Sequence, residues 1–237
     1  MFERPHHQRI AAVLAALDGP LLCANGCLFG GGTAIALRYG EYRESVDIDF
    51  LVSRASGYRE LRQRLTGPEG VGAIVRNAAV WSSAREVRAD PYGIRTALLV
   101  EGHEIKFEIV REARIELAPP GPLDLLCGVA TLTPLDMLTS KLLANSDRWA
   151  DDGAFSRDLI DLAMMAPALD VLRAAVAKAE PAYGAAALAD LSKAVDHLKA
   201  RHGRLERCMQ ALQIRIPQAV LCQKILALRR RAKRLAS

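Results

Sequence analysis

No stretch of this sequence reaches the roughly eighteen uncharged apolar residues that a helix needs to cross a bilayer, which argues against a helical membrane span. Paired cysteines at metal-finger spacing are lacking too. Cys23, Cys27, Cys127, Cys208 and Cys222 are odd in number, and Cys23 and Cys27 find no second pair among the histidines, so a zinc finger is excluded. Such cysteines read as small buried hydrophobes in a reducing cytoplasm. Internal repeats and low-complexity linkers are also missing. The opening MFERPHHQRIAAVLAALDG carries an acid and no credible cleavage site. It predicts an amphipathic helix ended by Gly19-Pro20 rather than a signal peptide.

What is present suits one large domain or two small ones. The 237 residues are 51% hydrophobic and 25% charged, enough for a sizeable core. The net charge of +5 is mild but uneven. Arg229, Arg230, Arg231, Lys233 and Arg234 crowd into LALRRRAKRLAS near the C-terminus. Two readings of this run stand together. It could neutralise nucleic-acid phosphates, or it is the solvated face of a terminal helix whose Leu221, Ile225, Leu228 and Leu235 recur at helical spacing.

The organisation changes part-way along. After a helix in SGYRELRQRLTG come four strand candidates, GAIVRN, AREVRAD, GIRTALLVEG and HEIKFEIVRE, the last two joined by a turn at Gly102. RIELAPPGP marks a strand end and a Pro/Gly break. From Thr133, a natural N-cap followed by Pro134, the pattern is helical to the end, with breaks expected near Pro167, Pro181, Gly203 and Pro217. The expectation is an α+β fold: a mixed small sheet within residues 1–132, and a helical domain over 133–237 packed against it.

The segment from Phe29 to Phe50, FGGGTAIALRYGEYRESVDIDF, carries the chemistry. A glycine-rich turn opens a short helix, and a strand-like run then holds two aspartates one residue apart. Residues i and i+2 of a strand share a face, so Asp47 and Asp49 would stand side by side while Val46, Ile48 and Phe50 face the core. Hard cations such as Mg²⁺ take carboxylate and phosphate oxygens, and N–H groups at a helix N-terminus receive phosphates. The spacing therefore predicts a magnesium–nucleotide site.

These residues resemble the polymerase-β-like nucleotidyltransferase superfamily, whose pattern is a Gly-Gly or Gly-Ser turn, a helix, then Asp-hydrophobic-Asp. GGTAIAL followed by RESVDIDF looks like the AbiEii/AbiGii type of nucleotidyltransferase toxin, usually half of a toxin–antitoxin pair. Gly32 and Thr33 stand where many relatives have Gly-Ser. The resemblance implies that Gly31, Gly32 and Thr33 hold the phosphates of an NTP and that Asp47 and Asp49 bind Mg²⁺ or Mn²⁺. Arg43 and Ser45 would touch phosphate or make structural hydrogen bonds.

A third carboxylate, usually Asp, sits on a neighbouring strand in the superfamily, and Glu108 occupies that position here. It would complete the metal site or take the proton of an attacking hydroxyl. Glu104 and Glu108 could also be simply the wet face of an antiparallel strand. Further on, Lys141, Asn145 and Arg148 share one helix face at i, i+4 and i+7. Asp158 and Asp161 follow in SRDLIDLAMM. By the same resemblance Lys141, with Arg148 nearby, contacts the triphosphate, and Asp158 or Asp161 holds Lys141 or a substrate group.

The implied enzyme is a cytoplasmic, metal-dependent nucleotidyltransferase. It would move NMP from an NTP to an acceptor hydroxyl, an RNA and in particular a tRNA 3′ end, as a toxin with a protein antitoxin. Transfer to a protein or small molecule, or binding without turnover, are the alternatives, because a donor site does not fix the second substrate.

Overall fold

The computed structural model describes residues 2–76 and 80–236 and divides into two units. The first comprises Met1–Glu41 with Ser45–Thr133, and the second comprises Tyr42–Glu44 with Pro134–Ser237. The tripeptide Tyr42–Glu44 thus leaves its sequence neighbours for the helical unit. No local pattern signalled this.

The first unit contains helices α1 (Pro5–Ala16), α2 (Gly19–Ala24), α3 (Gly31–Arg38) and α4 (Ala55–Leu65). Its strands are β1 (Cys27–Phe29), β2 (Ile48–Val52), β3 (Ser82–Ser83), β4 (Arg88–Ala89), β5 (Gly93–Val100), β6 (His103–Arg111), β7 (Leu125–Leu126) and β8 (Val129–Ala130). The sheet runs β1-β2-β6-β5-β3, with β4 also on β5. β2 and β6 are parallel and the other pairs antiparallel, so the sheet is mixed and the fold class α+β.

Period-two patterning explains the centre of this sheet. Ile105, Phe107 and Ile109 of β6 are buried at 1% exposure or less, whereas Glu104 and Lys106 face solvent. Phe29, Phe50 and Phe107 line up across β1, β2 and β6, with ring centroids 5.5 and 5.7 Å apart. Each such pair adds about 0.5–1.5 kcal/mol beyond the area it buries. The β5–β6 hairpin turns on Glu101 and Gly102, at φ 49° and 78°. Two consecutive positive φ values suit a two-residue hairpin loop, and glycine takes one of them without strain.

Several expectations differ from what forms. Val46 lies outside β2 and is 49% exposed, so only Ile48 and Phe50 of its trio reach the core. In GAIVRN the backbone makes a 3₁₀ turn over Gly70–Ile74, and Val75 only bridges Leu17; Asn77 lies outside the described residues. Its Ile74 and Val71 are buried, so the apolar spacing reported burial rather than a strand. AREVRAD supplies only the two residues of β4. Gly19-Pro20 does not simply stop α1: Asp18 accepts from the Leu21 N–H at 3.0 Å and caps α2, with Pro20 in its first turn.

The second unit holds α5 (Pro134–Arg148), α6 (Arg157–Met165), α7 (Leu169–Tyr183), α8 (Ala186–Lys199), α9 (Arg204–Ala211) and α10 (Gln218–Ala236). α5 packs on α6, α7 and α8, and its Leu138, Leu142 and Leu143 are fully buried. Pro181 does not break α7, which runs on to Tyr183 before Gly184 caps it. So close to the end of the helix, a missing N–H and a crowded preceding turn are tolerated. On α10, Leu221, Ile225 and Leu228 are buried while Arg230, Lys233 and Arg234 are exposed and Arg229 pairs with Asp196, so the run lies on the outer face of an amphipathic helix, open to solvent and to phosphates alike. Among the described residues no helix is long and apolar enough to cross a membrane.

Candidate functional site

In the first unit the chain leaves β1, turns through Gly30 and enters α3. The Gly30 N–H donates to the Asp49 carbonyl at 2.8 Å, which fixes the turn to β2. Gly30 is the N-cap and has no side chain to satisfy the first-turn N–H groups. Gly31 has φ +66°, and a Cβ there would come within 3.0 Å of the Asp49 carboxyl carbon. The glycine turn therefore exists because the Asp49 carboxylate packs against it. Asp47 and Asp49 are both half-buried.

Thr33 is buried at 1% exposure, so its hydroxyl is not presented to a ligand. It donates to the Asp47 carbonyl at 2.5 Å, and Ser45 Oγ lies 2.8 Å away. With its one proton spent on Asp47, Thr33 accepts from Ser45. The Ser45 N–H donates to His7 Nε2 at 3.1 Å, which leaves the imidazole proton on Nδ1 for Glu41 Oε1 at 2.7 Å. Burial opposes the charge on Glu41, but hydrogen bonds from the Glu3 N–H, His7 and the Arg4 N–H keep its carboxyl below the usual range. His7, fully buried, and Glu41 went unread in the sequence because their partners lie more than thirty residues away.

Glu108 pairs with Asp49 in the β2–β6 register. Its carboxylate is already engaged, with Arg95 Nε at 3.1 Å and Lys106 Nζ at 2.7 Å. Among the described residues no three His, Cys, Asp or Glu side chains are grouped to hold a metal.

The second unit gathers the remaining candidates into one buried network. Lys141 Nζ donates to Asp158 Oδ1 at 2.9 Å and to Asp161 Oδ2 at 2.8 Å. Arg43 reaches Asp161 with both Nε and Nη2, at 2.7 and 2.9 Å, and the Tyr42 hydroxyl adds a third donor at 2.5 Å. Arg148 grips Asp158 with Nε at 2.6 Å and Nη2 at 2.9 Å. Helical spacing makes this possible, since Lys141 and Arg148 share a face of α5 while Asp158 and Asp161 lie one turn apart on α6. Arg43, from the segment that precedes the carboxylates, binds an aspartate here.

Burial opposes the charge on Asp161 and Asp158, yet Arg43 and Lys141 for the first, and Lys141 and Arg148 for the second, hold both carboxyls well below their ordinary range. Burial likewise pulls the Lys141 ammonium down, and the two aspartates outweigh it and raise it. The sign of the pH dependence follows. A carboxyl depressed by folding stabilises the protein above its unfolded value, near 4, and that stability is lost as pH falls toward the folded value. We expect urea midpoints to be flat from about pH 7 to 5 and to fall steeply below about pH 4. The Asp158→Asn variant should start from a lower midpoint and show a shallower fall.

A sequence model of the family described as "Nucleotidyl transferase AbiEii toxin, Type IV TA system" matches residues 15–233. The chain belongs to the AbiEii family. It is therefore a nucleotidyltransferase. No curated protein sequence matches it. Among solved structures, a candidate nucleotidyltransferase from Helicobacter pylori is similar at 17% identity and TM-score 0.53, covering 98% of this chain and 95% of the other. The H. pylori protein JHP933 is similar at 17% identity and TM-score 0.54, covering 100% and 95%. At that identity these two speak for the fold alone.

Asp47 falls just before β2, so of the expected strand pair only Asp49 lies on the strand. For an AbiEii enzyme, two half-buried carboxylates one residue apart, one of them packed on a helix start that no side chain caps, suit a hard divalent cation. Gly31 is kept free of a side chain where the Asp49 carboxyl needs the room. Asp47 and Asp49 are the residues that would hold the ion. In Gly31→Ala the left-handed backbone costs about 1–2 kcal/mol, and the methyl displaces the carboxylate. Displacement by about an Ångström is expected to lower turnover about 100-fold, measured as initial rates of label transfer, with the circular dichroism spectrum unchanged.

Proposed function

We propose that this AbiEii protein is divalent-metal dependent and transfers a nucleoside monophosphate from an NTP to an RNA hydroxyl, a tRNA 3′ end in particular, in the cytoplasm. A cognate antitoxin protein would restrain it. The observation that carries the reading is the packing of the Asp49 carboxylate against the Gly30–Gly31 turn.

The acceptor oxygen attacks the α-phosphorus, the bond to the α–β bridging oxygen breaks, and pyrophosphate leaves. First-turn N–H groups of α3, at Gly31 and Gly32, receive phosphate oxygens and are pre-aligned to do so. Asp47 and Asp49 supply the carboxylate oxygens for the metal. When bound, the ion acts as a Lewis acid on the phosphoryl oxygens. Thr33, Ser45 and His7 act at one remove, tying the Asp47 backbone to α1. Glu108 can accept the hydroxyl proton only after it parts from Lys106 or Arg95. In this proposal Lys141 and Arg148 keep the phosphate-directed part that the resemblance gives them, supported by Asp158 and Asp161.

The test is incubation with each α-labelled NTP and total cell extract, followed by separation of RNA from protein. Label is expected in the RNA fraction and at 3′ ends after nuclease digestion. Label confined to protein or to small molecules would overturn the RNA acceptor.

A further inference from the structure

Two neighbouring concavities in the second unit, far along the chain from the carboxylate strand, share Arg201, Gly203 and Arg204 in their walls. One, about 150 Å³, is faced by Asp152, Phe155 and Arg207; the other, about 200 Å³, is mainly apolar, with Leu198, Ile225 and Leu226. Together they reach the lower end of the range for a small-molecule site, about 300 Å³ and upward.

Arg204 is the informative residue. It is 9% exposed, and its Nη2 pairs with Asp152 Oδ1 at 2.7 Å. Its Nε, buried, has no acceptor among the described residues. A buried donor without a partner carries a desolvation penalty, which an incoming acceptor would remove. Asp152 cannot meet the demand. Its carboxylate is already shared by Arg204, by Arg201 at 3.0 Å and by His197 Nε2 at 3.2 Å, and the hydrogen bonds from Arg204 and His197, with the charges of Arg204 and Arg201, depress it to about 2. Arg207 is exposed and has no acidic partner among the described residues. Even with Glu206 close to Gly203, cations outnumber acids around the groove.

We propose that this groove is a second ligand site, independent of Asp47 and Asp49, that takes a nucleoside 5′-monophosphate unit. The phosphate lies on Arg201, Arg204 and Arg207, whose guanidinium forks match phosphate oxygens. The base lies against Leu198, Ile225 and Leu226. A bare phosphate would leave the apolar half empty, and an uncharged apolar ligand would leave the Arg204 Nε and Arg207 unanswered. The unit can come free or within an RNA strand, since the chemistry of recognition is shared.

The test is calorimetric titration of the full chain with the four nucleoside monophosphates, with inorganic phosphate and with a single-stranded RNA hexamer, all at low salt. At least one monophosphate should bind more tightly than inorganic phosphate. Arg207→Ala and Leu226→Glu should each weaken it about tenfold, and Asp49→Asn should leave it unchanged. Arg207 and Leu226 are not fully buried, so neither change threatens folding, and a thermal melt of each verifies this. Tighter binding of the hexamer assigns the site to RNA, and equal binding assigns it to free nucleotide. The proposal falls if no monophosphate binds, if Arg207→Ala binds like the original, or if Asp49→Asn removes the binding. The last result would place the ligand at the carboxylates and leave the transferase reading standing.

Discussion

Replacing Asp49 by asparagine is expected to cut nucleotide transfer by about 10³-fold or more while leaving the fold in place. The substitution keeps the shape of the side chain and the backbone carbonyl that accepts from Gly30, so the turn into α3 survives. What disappears is an anionic oxygen that the proposed metal site would use. Lewis-acid stabilisation of a phosphoryl transition state is worth several kcal/mol, and each 1.4 kcal/mol or so is a factor of ten in rate. Thermal melts should agree within about 2 °C, because a half-exposed carboxylate away from a buried network contributes little to stability. A variant that retained a tenth of the original rate would remove Asp49 from the reaction.

Asp161→Ala is expected to show the opposite profile, a large loss of stability. Asp161 is fully buried and takes donors from Arg43, Lys141 and Tyr42. Without it, Arg43 loses its only carboxylate in that network and Lys141 keeps only Asp158. Stranding buried charge in this way costs about 3–5 kcal/mol, equivalent to roughly 10 °C in melting temperature for a chain of this size. Urea denaturation followed by circular dichroism measures it. A shift below about 1 kcal/mol would show that water or another group compensates the cations. Asp47→Asn is the control, with near-zero change.

The two variants also separate what was legible in the sequence from what was not. Period-two alternation made β6 readable, and the three glycines announced the turn into α3, where the Gly30 N–H meets the Asp49 carbonyl. Short elements escaped: β3 and β4 are two residues long, and the β7–β8 hairpin turns on Cys127-Gly128, a pair that carries little turn signal. Pro181 signalled a break that its place in the last turn of α7 makes harmless. Arg43 and Thr33 sit among ligand-like residues, yet one binds Asp161 and the other the Asp47 backbone. A local pattern states which residues are near in the chain, whereas these roles are set by partners on elements far away. His7 is the plainest case, 38 residues from the Ser45 N–H it accepts.

The central claim is that this chain moves a nucleotidyl group, not a phosphoryl group, onto an acceptor. Parallel reactions with α-labelled and γ-labelled NTP, total RNA and Mg²⁺ test it most directly. Label should enter RNA from the α position only, with one pyrophosphate released per label and neither product formed in EDTA. Label entering RNA from the γ position, or pyrophosphate release that persists in EDTA, would contradict it.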